Sequence, residues 1–430
     1  MIFNILYDRE AVTSLDIKGL ATFDKFGLIN RGNVDRIHFC GVLVSGGEVY
    51  AVLPRNSINT GLSDCFIASL LLRVLDKYNT TTDKTVIGGD LIDEGREGLG
   101  LLASVLWLLH DYSANGTYST TSKKRQHDSG KINWSRTISR EIPEEGIGGA
   151  PIYRRLHTER IKYGEQSPVT LIHSDVIKEL DRSFGWAITG DYNIRIASDL
   201  DLVPSSQLGY ESKIYVLQRE LSFSYPDRHI KLLNALIQIL QYKFEGGAGE
   251  YLVGIKTFQT VWEEMLRRIL PGVVNINKKL PKPAIYFKGS ESPSLARGMV
   301  TDIVAKNGTV ISVIDAKYYK GKTAQDSPGW HDLVKQFFYA KSLALIFPEF
   351  TIANWFAFPG RVGKINEGPI TSYAVVDAEA MKPMVEDFPP IGCSYFCPVE
   401  VMQRYTSLSK FRFEEVSPLF AKSEIRGKAE

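Results

Sequence analysis

The sequence predicts an α/β protein with an N-terminal α/β domain, a mixed and basic middle region, and a C-terminal core whose mixed central sheet is flanked by helices. Three observations carry this. In the first third, two β-rich runs joined at Gly46-Gly47 precede leucine-rich helical runs. From Lys256 onward the order reads helix, strand, strand, helix, strand, strand, which suits a mixed sheet with helices on it. Between these parts apolar periodicity fades while Lys and Arg accumulate. The expected segments are 1–120, 121–245, 246–385 and, as a C-terminal extension, 386–430.

In the first segment, RIHFCGVLVSGGEVYAVLP supplies the paired strands, and DCFIASLLLRVLDKY and GLGLLASVLWLLHDY the helices. Ser113 to Gly130 gains Ser, Thr and Lys and predicts a loop or domain junction. In the middle region SDVIKELDRSF and DRHIKLLNALIQILQYKF predict helices. Trp134, near Arg136 and Arg140, is expected in the core, as a tryptophan at a helix start usually is, with base stacking as the alternative. Further on, Phe258, Val261, Trp262, Met265, Leu266 and Ile269 fall on one helical face. His331 to Phe347 returns to helical spacing, and TIANWFAF and ITSYAVVDA read as strands.

At 430 residues the chain is long enough for a substantial core, and 44% hydrophobic with 23% charged excludes disordered and fibrous classes. Net charge is only +2, but it is unevenly spread. Thr121 to Lys162 holds ten Lys/Arg against five acids, and Met265 to Val300 holds seven against Glu291 alone. Such stretches suit phosphate backbones, or serve as solvated faces. Four scattered cysteines predict no disulfide framework, and Cys393 and Cys397, with no second pair, predict no zinc site. The seven histidines show no ligand spacing. The amino terminus meets charge too early for a signal peptide and the longest apolar run, Leu99 to Leu109, is about half a membrane span, so no membrane contact and a cytoplasmic location are expected.

Chemistry concentrates in TDIVAKNGTVISVIDAKYYKG, Thr301 to Gly321. Asn307-Gly308 predicts a hairpin turn between a short run and a longer β-branched one. Side chains alternate along a strand, so Asp315 and Lys317 share a face, and Asp302 reaches the same edge from the neighbouring strand. Two buried carboxylates need a cationic answer, and one lysine cannot neutralise both. A divalent ion can, and a shell of carboxylate, water and phosphate oxygens is what Mg²⁺ prefers. It would polarise a phosphodiester and acidify a water, with Lys317 orienting that water or stabilising charge on phosphorus. The competing account, a solvated hairpin pair, sits badly with the apolar run Val310, Ile311, Val313 and Ile314 before Asp315.

This arrangement resembles the PD-(D/E)XK nuclease superfamily, in which an acid opens one strand and D/E-x-K closes the next; Thr301 stands where that motif has proline. More narrowly, FQTVWEEML, KLPKP, DIVAKNGTVISVIDAKYY and VKQFFYA, in this order, are similar to the LlaJI family of restriction endonucleases, which also contains the BsuMI enzyme and is related to the McrC nuclease subunit. GVLVSGGEVYAVLP and INWSRTI extend the resemblance, which runs from about Phe39 to Tyr339. It implies a restriction-endonuclease-like C-terminal core. It also implies metal-binding roles for Asp302 and Asp315, a catalytic role for Lys317, and a place for Glu263 in the metal shell. Gln336 matches the polar residue on the following helix that would hold a water or a backbone phosphate.

The function implied is a Mg²⁺-dependent, type II-like restriction endonuclease cutting double-stranded DNA at a specific site, in phage defence. A methyltransferase of the same system would protect host sites, and two active sites for two strands would come from a homodimer. The alternative is a McrC-like nuclease subunit active only with a separate GTPase or AAA motor. Gly321-Lys322-Thr323 resembles the tail of a phosphate-binding loop, but Ala316 stands where its first glycine is required, so the motor would be another chain. Lys322 is expected near the active site. The basic Thr121 to Lys162 region and the amino-terminal domain are expected to contact DNA or a partner.

Overall fold

The computed structural model describes the chain except residues 1, 15–16, 58–60, 83–95, 98, 120, 128–130, 164–166, 246–249, 289–291, 297, 320–326, 361–370, 375–387 and 423–430. It divides into two compact units. One joins Met1–Ala103, Gly190–Tyr192 and Gly249–Glu430; the other is Ser104–Thr189 with Asn193–Ala248. These cut the chain differently from the four segments expected. The reason is strand pairing: Tyr251–Ile255 runs antiparallel to Cys40–Ser45, so the chain returns after the middle region to complete a sheet begun at the amino terminus.

That sheet has the order Ile2–Tyr7, Glu48–Leu53, Cys40–Ser45, Tyr251–Ile255, Arg96–Glu97. Gly46 and Gly47 have φ of 56° and 82°, the left-handed pair that a two-residue hairpin turn demands. Strands 40–45 and 251–255 are buried on both faces, which is why they read as unbroken apolar runs.

The second sheet of this unit has the order Ile303–Asn307, Val310–Ala316, Thr351–Pro359, Ile391–Phe396, Thr371–Ala374. It is mixed: 303–307 and 310–316 are antiparallel, while 310–316, 351–359 and 391–396 are parallel. Helix Phe258–Ile269 packs on the first two strands, and helix Trp330–Ile346 on strands 310–316 and 351–359. Val304, Ile311 and Val313 close a core with Tyr339 and Leu343. The segment expected as a terminal extension instead contributes the fourth strand of this sheet, and its helix Pro398–Ser407 packs on helices Phe258–Ile269 and Asp64–Thr82. Trp262 ties the two layers, its indole N–H donating to the Ala357 carbonyl at 3.3 Å.

The other unit is mainly helical, with helices Pro168–Thr189, Tyr210–Leu221 and Asp227–Phe244 beside a small antiparallel sheet. Part of the expected Ser113 to Gly130 loop forms strand Thr121–His127, paired along its whole length with His157–Tyr163. Its polar sequence gives no apolar alternation, so only the partner strand reveals it. Trp134, expected in the core, is 53% exposed and lies edge-on to Tyr153. Among the described residues no helix is long and apolar enough to cross a membrane, and Cys40, Cys65, Cys393 and Cys397 are free thiols.

Candidate active site

The hairpin creates the site. Gly308, at φ 54°, turns the chain, and the register Ile303 opposite Ile314, carried one residue further, sets Asp302 opposite Asp315. Asp302 Oδ2 accepts from the Ala316 amide at 3.0 Å, and its carbonyl accepts from Arg267 Nε at 3.1 Å. Thr301 is buried, with its amide and hydroxyl both donating to Asn277 Oδ1 at 3.1 and 2.9 Å. The residue in the proline position thus fixes the backbone ahead of Asp302 through hydrogen bonds.

Asp315 is 3% exposed. Lys317 Nζ donates to Asp315 Oδ2 at 2.7 Å and to Asp332 Oδ1 at 2.8 Å. Asp315 Oδ1 is buried without a hydrogen-bond partner, and Lys335 Nζ stands 3.9 Å away. Burial pushes the Asp302 carboxyl up to about 8, and the neighbouring carboxylates of Asp315 and Glu263 add to the shift. The charge of Asp315 on the opposite strand thus works against ionisation of Asp302. Burial also raises Glu263; Arg267 opposes the shift and Asp315 reinforces it. For Lys317 burial works against the ammonium, but Asp315 and Asp332 outweigh it and raise its pKa, so at neutral pH it is a cation and a hydrogen-bond donor.

The structure therefore brings Glu263, Asp302, Asp315 and Lys317 together. It also separates Glu263 from Glu264, which local pattern cannot do: Glu264 is paired with Arg267 at 2.9 Å and Arg268 at 2.6 Å on the same helix. Gln336 is not brought to the carboxylates. It is fully buried, and its amide donates to the Val313 and Trp355 carbonyls at 3.3 and 3.0 Å, tying helix to sheet rather than reaching for water or phosphate. Two residues that sequence reasoning missed, Asp332 and Lys335, complete the charge array. Their only sequence signal is a spacing of three in the first turns of the helix after the lysine, where an acid also reads as an ordinary helix-dipole partner. Lys322 lies outside the described residues.

Among the described residues no three His, Cys, Asp or Glu side chains form a ready-made metal cage. As it stands, the ammonium of Lys317 is the closest cation to the pair among these residues. The orphaned Asp315 Oδ1 and the Asp302 carboxyl, whose charged form burial disfavours, are nonetheless the groups that a hard divalent cation would relieve, so the donor set fits one. In the second unit a cavity of about 250 Å³ is also lined by charge. There Lys213 pairs with Asp175 at 3.1 Å and Lys243 with Glu179, so these charges answer each other.

The family model described as LlaJI restriction endonuclease matches residues 39–370. The chain is 26% identical over 371 residues to the type II restriction enzyme BsuMI component YdjA of Bacillus subtilis (strain 168), covering 82% of this chain and 79% of that protein. Among solved structures, a half-complex from a tetradecameric assembly of Thermococcus gammatolerans McrB AAA+ hexamers with bound McrC overlaps 94% of this chain and 99% of that chain, at 12% identity and a TM-score of 0.40. The Thermococcus gammatolerans McrBC complex overlaps 56% and 79%, at 12% identity and a TM-score of 0.25. The family match takes in most strands of both sheets and every site residue from Glu263 to Gln336, far more than a D-x-K triplet could carry, and the chain belongs to the LlaJI restriction endonuclease family.

Proposed function

We propose that the chain is a nuclease that hydrolyses the phosphodiester backbone of double-stranded DNA at a specific site, with Mg²⁺ held by Asp302, Asp315 and Glu263. The observation that carries this reading is a pair of opposed aspartates, Asp315 buried with one oxygen left without a partner and Asp302 half-buried, beside a lysine held as an ammonium. A fold with no use for a cation there would have no physical reason to keep like charges together.

Bound at these carboxylates, Mg²⁺ would supply a Lewis acid for the phosphodiester and a more acidic water. The chain's own groups do the rest. Asp302, whose carboxyl burial and its acidic neighbours raise to about 8, would ionise as it takes up the cation. Asp315 orients Lys317 through one oxygen and keeps the other for the cation. Lys317, buttressed from the far side by Asp332, places an ammonium where negative charge grows on the phosphoryl oxygens. Because its pKa is raised, it serves as donor and charge stabiliser and not as the base.

A second reading rests on the name of the Bacillus relative, which calls that protein a component of a type II enzyme. In that reading this chain cuts only with partner subunits, a separate GTPase or AAA motor among them. Incubating the purified chain with Mg²⁺ and unmethylated plasmid tests both. Discrete fragments from wild type, lost in EDTA and in Asp315→Asn, are expected from a self-sufficient nuclease. No cutting without an added subunit points to the assembly, and equal cutting by Asp315→Asn overturns the assignment of the site.

A further inference from the structure

Between the site helix and Asp302 the chain makes an excursion that the hydrolytic chemistry does not use. Ile276 and Leu280 are buried in the core with Val304 and Tyr339. The chain then leaves at Pro281, and every residue from 281 to 288 is exposed. It comes back as a two-stranded ribbon in which Ala284 pairs with Leu295 and Ile285 with Ser294. The base of the ribbon is bolted to the site: the Ala296 amide donates to the Pro283 carbonyl at 3.0 Å, Tyr339 Oη to the Val300 carbonyl at 2.7 Å, and Thr301 to Asn277. The arm therefore ends at Ala296, six residues before Asp302, on a root tied down by hydrogen bonds.

Its surface is unusual for a free protein face. Tyr286 is 74% exposed, Phe287 61%, Leu295 67% and Ile285 51%. Lys278, Lys279, Lys282 and Lys288 are exposed along the same excursion, whose only acid in sequence is Glu291. A two-stranded ribbon with strands of two residues has no core of its own and is marginal in water, so bare rings at its tip bring the free chain no stability. Exposed rings bracketed by lysines match the chemistry of nucleic acid, in which bases offer flat apolar faces between rows of phosphate.

We propose that the ribbon formed by residues 282–288 and 292–296 is a DNA-engaging arm: Tyr286 and Phe287 pack against bases of the duplex, and Lys282 and Lys288 meet flanking phosphates. This rests on the reading of the site as a DNA nuclease and adds the element that seats the duplex over it. The stretch from Pro281 to Phe287 spans roughly 20 Å when extended, enough to reach a groove beside a backbone held at Asp302. The net positive charge of the stretch selects DNA over an apolar partner, and a second copy of the chain is the competing occupant.

The test uses the full chain in an Asp315→Asn background, which stops cutting, with a fluorescein-labelled 40-base-pair duplex of mixed sequence. Tyr286→Ala/Phe287→Ala is expected to weaken binding at least tenfold with little change in salt dependence. Lys282→Gln/Lys288→Gln is expected to weaken it and to lower the slope of log affinity against log salt by roughly two, one for each phosphate that is no longer neutralised. All are surface changes, and thermal melting checks that each variant folds. Unchanged affinity and slope in both variants, with wild type binding well, overturns the arm and leaves the nuclease reading standing. Failure of every form to bind duplex, joined to absence of cutting by the chain with Asp315 intact in Mg²⁺, removes both. Loss of a dimer in sedimentation by the aromatic variant with DNA affinity intact assigns the rings to self-association and overturns the proposal.

Discussion

Asp181 in the helical unit and Asp315 in the nuclease unit are equally buried, each 3% exposed, yet their surroundings differ in kind. Asp181 accepts from Arg195 Nε at 2.9 Å and from the amides of Ile196 and Ala197 at 2.9 and 3.2 Å. Asp111, in the same unit, is gripped by both arms of Arg228 at 2.8 Å each. These carboxylates are answered, and they staple loops to helices. Asp315 shares its site with Asp302 and Glu263, has one oxygen without a hydrogen-bond partner, is bonded to one lysine, Lys317, and has Lys335 no nearer than 3.9 Å. An answered buried acid holds a fold together, whereas an unanswered cluster stores unfavourable charge that only a ligand relieves.

Matched substitutions sharpen the contrast, starting with the largest effect. Asp315→Asn is expected to lower cleavage by roughly 10³-fold while leaving the melting temperature unchanged or raised, because it removes repulsion from the pair. Plasmid cleavage and a thermal melt on one preparation check both halves. Asp181→Asn should do the reverse, destabilising its unit by about 3 kcal/mol because Arg195 and two amides lose a charged acceptor. Denaturant titration measures that loss, and a neutral result would break the comparison.

The two units also carry opposite pH signatures. Burial pushes Asp8 up to about 6 in the nuclease unit, against the pull of Arg9 and Arg55. A raised carboxyl stabilises below its unfolded value, near 4, and this stabilisation is lost as pH rises through about 6. Burial lowers His173 in the helical unit to about 4, with Asp111 opposing, and there the stabilisation is present above about 6.5 and lost as pH falls through about 4. Relative to wild type, Asp8→Asn should therefore gain about 2–3 kcal/mol between pH 4 and pH 8, read by denaturant midpoints across that range.

Smaller effects distinguish neighbouring residues. Asp332 touches the lysine rather than the phosphate, so Asp332→Asn is expected to slow cleavage roughly 10- to 100-fold and to leave DNA affinity intact, in single-turnover and binding assays. Glu264→Gln, whose arginine partners are half-exposed, should change stability by less than about 1 kcal/mol and leave cleavage as it was, while Glu263→Gln raises the Mg²⁺ concentration needed for cutting. If Glu264→Gln behaved like Glu263→Gln, the acid facing the aspartates would be Glu264, and the register of helix 258–269 would be wrong.

Helix 258–269, the hairpin and its Asn-Gly turn, and the pairing of Asp315 with Lys317 were legible because each rests on local periodicity or turn chemistry, which the chain carries residue by residue. Glu263 and Glu264 differ by about 100° around one helix, and only the partners at either side decide which acid faces the aspartates. Gln336 carries a side chain suited to either water or backbone carbonyls, and the sheet beneath it took both amide hydrogens.

By itself the sequence determined the hairpin, its charged strand end, the leucine-rich helices and the absence of a disulfide scaffold, since spacing and composition dictate each of them within a few turns of chain. The tertiary structure alone decided that Tyr251–Ile255 returns to the first sheet, that Ile391–Phe396 enters the second between strands 351–359 and 371–374, and that Asp332 reaches Lys317 and Lys335 reaches Asp315. Strand pairing between remote segments is chosen by the competition of whole faces for burial. No period within either segment records which partner wins.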